Sequence, residues 1–219
     1  MKKFVLAVLC GIAALNLSAQ DWSFGPKAGI NISNFTNADD SKSLTGLNAG
    51  GFIVYSIVEN FGVSAEVLYS GEGAKYTYTT TEDNATVKTE DKLRLNYVRI
   101  PLLWNIFFGH LGDNIRPKIF LGPSFGLLTG VENSMTITTT DNGYTTTSET
   151  KNHDKSGIAS FDLSAIFGAG LNFKLGEKMW LNFDARYSIG ATDINEVKQD
   201  KAIENNGFSG SLGLAFGLK

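Results

Sequence analysis

Cysteine, proline and histidine are scarce in this 219-residue chain, and its apolar runs are short. Cys10 is the only cysteine, and there are four prolines and two histidines. Because Cys10 lies near the start, the body of the chain has no disulfide framework. No apolar run reaches the roughly twenty residues that a membrane-spanning helix needs. The sequence therefore argues against a disulfide-supported fold and against a helical membrane protein.

The first residues are typical of a signal peptide. Lys2 and Lys3 are followed by an apolar run of about a dozen residues and then by "NLSAQ", whose small residues suit signal peptidase. We predict cleavage after Ala19. This divides the chain into a signal peptide, residues 1–19, and one exported domain, residues 20–219.

The exported part is acidic and favours β structure. Since Lys2 and Lys3 are the only charges in the signal peptide, their removal lowers the net charge from −3 to −5, which argues against a nucleic-acid partner. The 24 glycines, the threonines and the phenylalanines favour short strands and turns over helices. The expected fold class is therefore all-β.

Eight segments alternate apolar and polar residues with the two-residue period of a β-strand. In "LNFDARYSIG", for example, Phe183 shares one face with other apolar residues, whereas Asp184 and Arg186 share the other face. The predicted strands are Phe24–Asn34, Gly46–Ile57, Phe61–Ser70, Leu93–Phe107, Arg116–Thr129, Ser160–Lys174, Met179–Gly190 and Gly207–Leu218.

The connections between these segments alternate in length. "VEN", "FGHLGDNI" and "LGEK" are short, whereas "TNADDSKSLT", residues 71–92, residues 130–159 and "ATDINEVKQDKAIENN" are long and polar. Outer-membrane barrels alternate in this way, with long loops outside the cell and tight turns in the periplasm. The sequence therefore predicts an eight-stranded antiparallel up-and-down transmembrane β-barrel surrounded by outer-membrane lipid.

Aromatic residues are expected to form two girdles at the membrane interfaces. The predicted girdle residues are Phe24, Phe61, Trp104, Phe107 and Trp180 at the turn ends, and Phe35, Tyr69 and Tyr187 at the loop ends. A soluble barrel that packs aromatics at its strand ends is the alternative.

A secreted barrel of lipocalin type has the same period with its two faces exchanged. Its polar face meets water and should carry Lys and Glu at most positions. Here the polar face carries mainly Gly, Ser and Asn with isolated charges, while Lys, Asp and Glu collect in the loops. This pattern favours a narrow lumen, which eight strands leave just wide enough for side chains to fill.

The isolated charges on the inward face are the candidate site. They are Lys27, Glu66, Arg116, Lys118, Asp162, Asp184 and Arg186. Arg94 or Arg99 joins them, depending on a bulge near Pro101. One interpretation is that these charges line a pore or gate, which opens when the ion pairs exchange partners. The other is a plug, which we favour because an unpaired buried charge costs several kcal/mol; Glu66 and Lys27 are then the candidate partners of Arg186 and Asp184.

Six stretches together resemble the PorT-like family of outer-membrane β-barrel proteins over nearly all of the exported chain. They are "FGPKAGINISNF", "SAEVLYSGEG", "NYVRIPLLW", "FLGPSFGLL", "DLSAIFGAGLNFKLG" and "GSLGLAFGLK". The resemblance implies an eight-stranded barrel in a Gram-negative outer membrane and little about activity, although the family's name comes from a member linked to type IX protein secretion. Two departures are Arg99, where the family often has an acidic residue, and an end at "FGLK" instead of a terminal aromatic.

The sequence predicts no enzyme, no cofactor and no metal site. His110 lies in a turn, and His153 lies beside Asp154 and Ser156 in a long loop, where adjacency alone does not make a catalytic triad. An integral outer-membrane hydrolase is the alternative on those residues. Acidic residues in "TDINEVKQD" are of the type that binds calcium, but their spacing matches no EF-hand loop.

Two threonine-rich stretches resemble each other, "YTYTTTEDNATVKTE" and "MTITTTDNGYTTTSET". Asn142-Gly143 is a strong hairpin signal. These stretches either form two β-ribbons that bind a partner above the membrane, or are solvated extensions of strands. We expect a structural or surface-interaction protein with an extracellular protein partner; a small channel, or an accessory subunit of type IX secretion with a secretion-system partner, is the alternative.

Overall fold

The computed structural model describes residues 22–38, 40–82, 85–141, 143–196 and 201–218. The predicted signal peptide lies outside this part of the chain. Nine antiparallel strands account for most of the described residues. They are β1 Trp22–Phe35, β2 Lys42–Val58, β3 Phe61–Glu82, β4 Ala85–Phe107, β5 Ile115–Asp141, β6 Tyr144–Asn152, β7 Phe161–Lys174, β8 Met179–Gly190 and β9 Asn205–Gly217.

Eight of the nine strands close into a ring. Each pairs with the next along the chain, β5 pairs with β7, and β9 returns to β1 through contacts such as Lys27 opposite Gly213. β6 pairs only with the outer part of β5 and takes no part in the ring. The predicted eight-stranded up-and-down barrel is therefore confirmed. Within the described residues no helix is long and apolar enough to span a membrane.

The two faces of the wall differ as the alternation predicts. On β3, Glu66 points inward and is 3% exposed, whereas its neighbour Val67 points outward and is 58% exposed. Phe183 on β8 is 45% exposed between the buried Asn182 and Asp184. Apolar side chains thus form the outer surface, and the interior holds the polar ones together with apolar residues such as Phe52 and Phe120.

The register of β4 is regular at Pro101. Pro101 pairs with Ser124 of β5, and the irregularity lies instead between Asn96 and Tyr97, where β5 has one extra residue at position 129. Odd-numbered residues of β4 therefore point inward, and Arg99 is buried in the lumen. Of the two residues that the sequence left open, Arg99 and not Arg94 lies in the lumen.

Three of the predicted girdle aromatics are inside the barrel. Phe35 and Phe107 are buried, and Trp180 shares the inward face of β8 with Asn182. The prediction failed for them because aromatics at strand ends alternate between faces like any other residue. Exposed aromatics remain at both ends, with Phe24 and Trp104 near the turns and Tyr69 and Tyr187 near the loops.

Three barrel strands extend beyond the ring and, together with β6, form one sheet outside it, which we call the outer sheet. It consists of residues 74–82 of β3, 85–93 of β4, 133–141 of β5 and all of β6. The two threonine-rich stretches thus do not rise as separate ribbons, because β4 and β5 stay paired from the barrel to their tips. β6 is exposed along its whole length and forms one edge.

The exposed apolar wall should make the protein dependent on detergent. Because closed β-barrels satisfy every backbone hydrogen bond within the wall, we expect the purified chain to keep β circular dichroism in cold SDS and to change mobility only on boiling. Extraction without detergent as a folded monomer would contradict the membrane location. The boiled sample is the control.

Candidate functional site

The centre of the lumen contains a compact cluster of five charged side chains, the central cluster: Lys27, Glu66, Lys118, Asp184 and Arg186. The Lys27 ammonium lies 2.6 Å from Glu66 Oε1 and 2.8 Å from Asp184 Oδ2. Arg186 donates to both oxygens of Glu66 at 2.9 and 3.2 Å. The Lys118 ammonium lies 2.8 Å from Asp184 Oδ1. All five side chains are buried.

Three cations face two carboxylates in this cluster. Aromatic rings lie beside these cations. The Arg186 guanidinium carbon and the Lys118 ammonium lie 5.4 and 5.3 Å from the centre of the Phe120 ring. Lys27 lies 5.1 Å from the ring of Phe52. Such contacts favour a cation most where water is excluded. The arrangement fills the lumen with paired charge.

A second group, the outer cluster, lies nearer the long loops. Arg99 donates to both oxygens of Glu72 at 2.9 and 2.5 Å, and its Nη1 lies 2.5 Å from Asp162 Oδ2. Thr192 donates to Asp162 at 2.9 Å, and Asn205 donates to Glu72. One cation here faces two carboxylates, so the two clusters carry opposite excess charge.

Sequence reasoning missed Glu72. The predicted third strand ended at Ser70, whereas β3 continues to Glu82 and keeps the same inward parity through Glu72. The signal was present in the sequence, since Glu72 follows Glu66, Leu68 and Ser70 at the two-residue period.

An apolar cap closes the loop end of the lumen. Its buried residues are Phe35, Ala74, Leu95, Tyr97, Val131 and Ile194. Loop residues complete it: Ile158 and Ile203 pack against the cluster, and Ala159 donates its backbone N–H to Ile194 at 2.8 Å. Beneath the cap, beside the outer cluster, a cavity of about 50 Å³ remains. This space suits a few water molecules at most.

The turn end is more open. A cavity of about 260 Å³, here called the vestibule, lies between the central cluster and the short turns. It is lined by residues that include Trp22, Arg116, Lys118, Asn172, Trp180 and Asn182. Arg116, one of the seven predicted lumen charges, is therefore separate from both clusters. It donates to the backbone oxygen of Glu59 at 2.7 Å and stacks on Phe107.

The outer sheet has two unlike faces. The face that continues the lumen side carries the apolar and aromatic residues of the sheet among threonines and Asp91, and Tyr78, Met135, Ile137 and Tyr144 on it are all exposed. Burial raises the pKa of Tyr76, which lies nearer the cap on this face. We call these residues the apolar outer face.

The opposite face of the outer sheet is charged. The Lys92 ammonium lies 2.6 Å from Glu90, and that contact lowers the pKa of the Glu90 carboxyl. Lys151 pairs with Glu149 at 3.3 Å. Because these pairs are exposed, each stabilises the sheet little, and the charged face is a solvated surface.

The structure does not assemble a catalytic triad around His153. Asp154 accepts hydrogen bonds from the hydroxyl and backbone N–H of Ser156 at 2.7 and 2.9 Å, which lowers the pKa of Asp154. Among the described residues no hydrogen bond joins His153 to either neighbour. His110 lies 3.5 Å from Glu59 in an exposed turn.

Acidic residues of the last long loop organise its backbone. Asp193 accepts backbone N–H groups of Asn195 and Ile203 at 3.0 and 3.2 Å. Across residues 22–38, 40–82, 85–141, 143–196 and 201–218, no group of three or more His, Cys, Asp or Glu is arranged to hold a metal ion.

Comparison with known proteins indicates the family. The sequence profile of the family described as "Outer membrane protein beta-barrel domain" matches residues 18–196. No curated protein matches the chain as a relative.

Several solved structures are similar in fold. Neisserial surface protein A has a TM-score of 0.49 and 12% identity, over 90% of this chain and 96% of that one. The outer membrane protein W of E. coli has a TM-score of 0.44 and 11% identity, over 90% and 97%. The N-terminal β-barrel domain of Pseudomonas aeruginosa OprF has a TM-score of 0.43 and 14% identity, over 90% and 97%.

Proposed function

Because this chain belongs to the outer membrane protein beta-barrel domain family and lies in the cell outer membrane, we propose that it is a closed barrel whose outer sheet binds an extracellular protein partner. The barrel anchors the sheet and holds it above the lipid. The observation that carries this proposal is the apolar outer face, which is exposed on a sheet built from the extensions of three barrel strands and β6.

The contents of the lumen favour anchoring over conduction. A path along the axis would have to cross the apolar cap, the outer cluster and the central cluster in turn. Opening either cluster would separate buried ion pairs, which is costly unless water enters at once. The barrel therefore serves best as a rigid support.

The outer sheet has the composition of a binding surface. Exposed tyrosines, a methionine and an isoleucine stand on one face, and such residues are enriched at the centres of protein interfaces. The polar face and the threonine-rich edge keep the sheet soluble around them. A partner that covers the apolar outer face would remove this exposed apolar surface from water.

Two alternatives predict different behaviour. A small channel requires the central and outer clusters to part, and it predicts a steady current. A secretion accessory of PorT-like type, which the sequence resemblance implies, predicts a partner on the turn side of the barrel. Both are distinguished from our proposal by where the protein contacts others and by whether it conducts.

Photo-crosslinking on intact cells tests the proposal. A photoreactive amino acid at Ile137, on the apolar outer face, should give a crosslinked protein adduct, because this side chain is 38% exposed and lies within any interface there. The same amino acid at Thr138, on the opposite face of β5, is the matched control and should give little.

Adducts at Thr138 equal to those at Ile137, or none at either position, would refute binding through the apolar outer face. A third position, Leu111 in a short turn, is 57% exposed and reports contacts on the turn side. Adducts there alone would favour the secretion accessory.

A further inference from the structure

The vestibule has an excess of positive charge. Five basic side chains line it, namely Lys27, Arg116, Lys118, Lys174 and Lys178. The acidic side chains of its lining are Glu66 and Glu177. Glu66 is already engaged by Lys27 and Arg186, and Glu177 is exposed on a turn. Lys27 and Lys118 are likewise engaged, by Glu66 and Asp184, so Arg116, Lys174 and Lys178 remain against Glu177 and the charge available to a ligand is positive.

Among the described residues, Arg116 is the basic residue of this lining that still has a hydrogen-bond donor without a partner. Within the described part of the chain it forms no ion pair, and its buried Nε has no hydrogen-bond partner. The nearby turn carboxylates, Glu59 and Asp113, form no ion pair with Arg116 within the described residues; they accept the backbone N–H groups of Leu111 and His110, both at 2.7 Å. A buried guanidinium that no carboxylate contacts directly can take an anion as its partner.

Two asparagines stand next to Arg116 around the wall. Arg116 pairs across the ladder with Asn172, and Asn172 pairs with Asn182, so the three side chains are neighbours at one level. Both asparagines are buried, and the Nδ2 group of each amide can donate to an oxyanion, whereas the Oδ1 atoms, which have no partner among the described residues, can only accept. The indole Nε1 of Trp22, also in the lining, is a further buried donor without a partner.

We propose that the vestibule is a binding site for a small oxyanion, a phosphate or carboxylate group, with Arg116 as its principal donor and Asn172 and Asn182 beside it. The cavity of about 260 Å³ has room for such a group with some water. It opens at the short turns, which face the periplasm in outer-membrane barrels. The site is independent of the proposed role of the outer sheet.

Tryptophan fluorescence offers a direct measurement. Of the three tryptophans, Trp22 and Trp180 line the vestibule, whereas Trp104 is on the lipid-facing side. The full mature chain with Trp104→Phe, in detergent, is titrated with inorganic phosphate and separately with acetate at constant ionic strength. We expect a saturable change in emission with at least one of them.

Arg116→Gln in that background should weaken the response about tenfold or more, because it removes a charge-assisted donor. Lys88→Gln, which removes an exposed cation of the outer sheet, is the matched control and should leave the affinity unchanged. No saturable change with either anion, or equal affinity with and without Arg116, overturns the proposal.

A quenching experiment covers the case in which Arg116→Gln does not fold. In the Trp104→Phe protein, the ratio of iodide quenching to caesium quenching should exceed the ratio for free N-acetyltryptophanamide under the same conditions, because the cavity attracts anions. A ratio equal to or below that of the free indole overturns the proposal.

Nanodiscs distinguish the source of the phosphate group. Equal phosphate responses in phosphatidylcholine and phosphatidylglycerol nanodiscs assign the site to a free anion. Loss of the response only in phosphatidylglycerol assigns it to a lipid headgroup that already occupies the vestibule. Both results support the site itself.

Discussion

Asp184→Leu is expected to reduce the free energy of unfolding by about 3–5 kcal/mol, the usual cost of stranding a buried charge. Asp184 is the carboxylate that the Lys118 ammonium contacts, at 2.8 Å. Without it, three buried cations face Glu66 alone. The measurement is guanidinium unfolding in lipid vesicles, with the wild-type protein beside it.

The double variant Asp184→Leu with Lys118→Leu should recover much of that loss. It leaves Lys27, Arg186 and Glu66, which keep the net charge of the intact cluster and their contacts at 2.6 and 2.9 Å. Replacing a buried pair with apolar residues is often nearly neutral, whereas removing one member is not. Arg186→Leu should cost less than Asp184→Leu, since Glu66 retains Lys27.

An open pore predicts different energetics, because water would solvate whichever charge remained. Small, additive losses for Asp184→Leu and Lys118→Leu, together with single-channel current in planar bilayers, would refute the plug and support the channel. Strong coupling between the two substitutions without current would agree with a closed barrel.

Phe183→Arg should destabilise the protein by about 2–4 kcal/mol, the cost of a cation on the lipid face near the bilayer midplane. Phe183 points outward, is 45% exposed, and lies in the middle part of β8, four residues from Met179 and seven from Gly190. Vesicle unfolding measures this loss as well.

Ile189→Arg is the matched control for depth. Ile189 is on the same strand and the same face, is 43% exposed, and lies six residues nearer the loop end. At the interface the expected cost is about 0–1 kcal/mol. Equal costs at Phe183 and Ile189 would contradict the position of the membrane along β8.

Most of the barrel could be predicted from the sequence, because a strand's two-residue period assigns each residue to a face without knowledge of its neighbours. β8 has the predicted bounds, Met179–Gly190. Along β8, Asp184 and Arg186 point inward and Phe183 outward. The alternating loop lengths likewise predict antiparallel neighbours and an even ring.

Strand ends and loops were less predictable. β3 and β5 extend by about a dozen residues beyond their predicted ends at Ser70 and Thr129. Threonine-rich segments alternate too weakly in polarity to reveal where pairing stops. Pairing between the two threonine-rich stretches depends on β4 and β5 being neighbours in the ring, so only the closed barrel decides that they form one sheet.

The sequence by itself determined the fold class and the number of strands in the ring, because both follow from local periodicity and from the alternating lengths of the connections. Only the tertiary structure decided how the charges divide. Arg99 joins Asp162, Lys118 joins Asp184, and Arg116 stands apart in the vestibule. The stagger of the strands around the ring sets which side chains share a level, and no single strand contains that information.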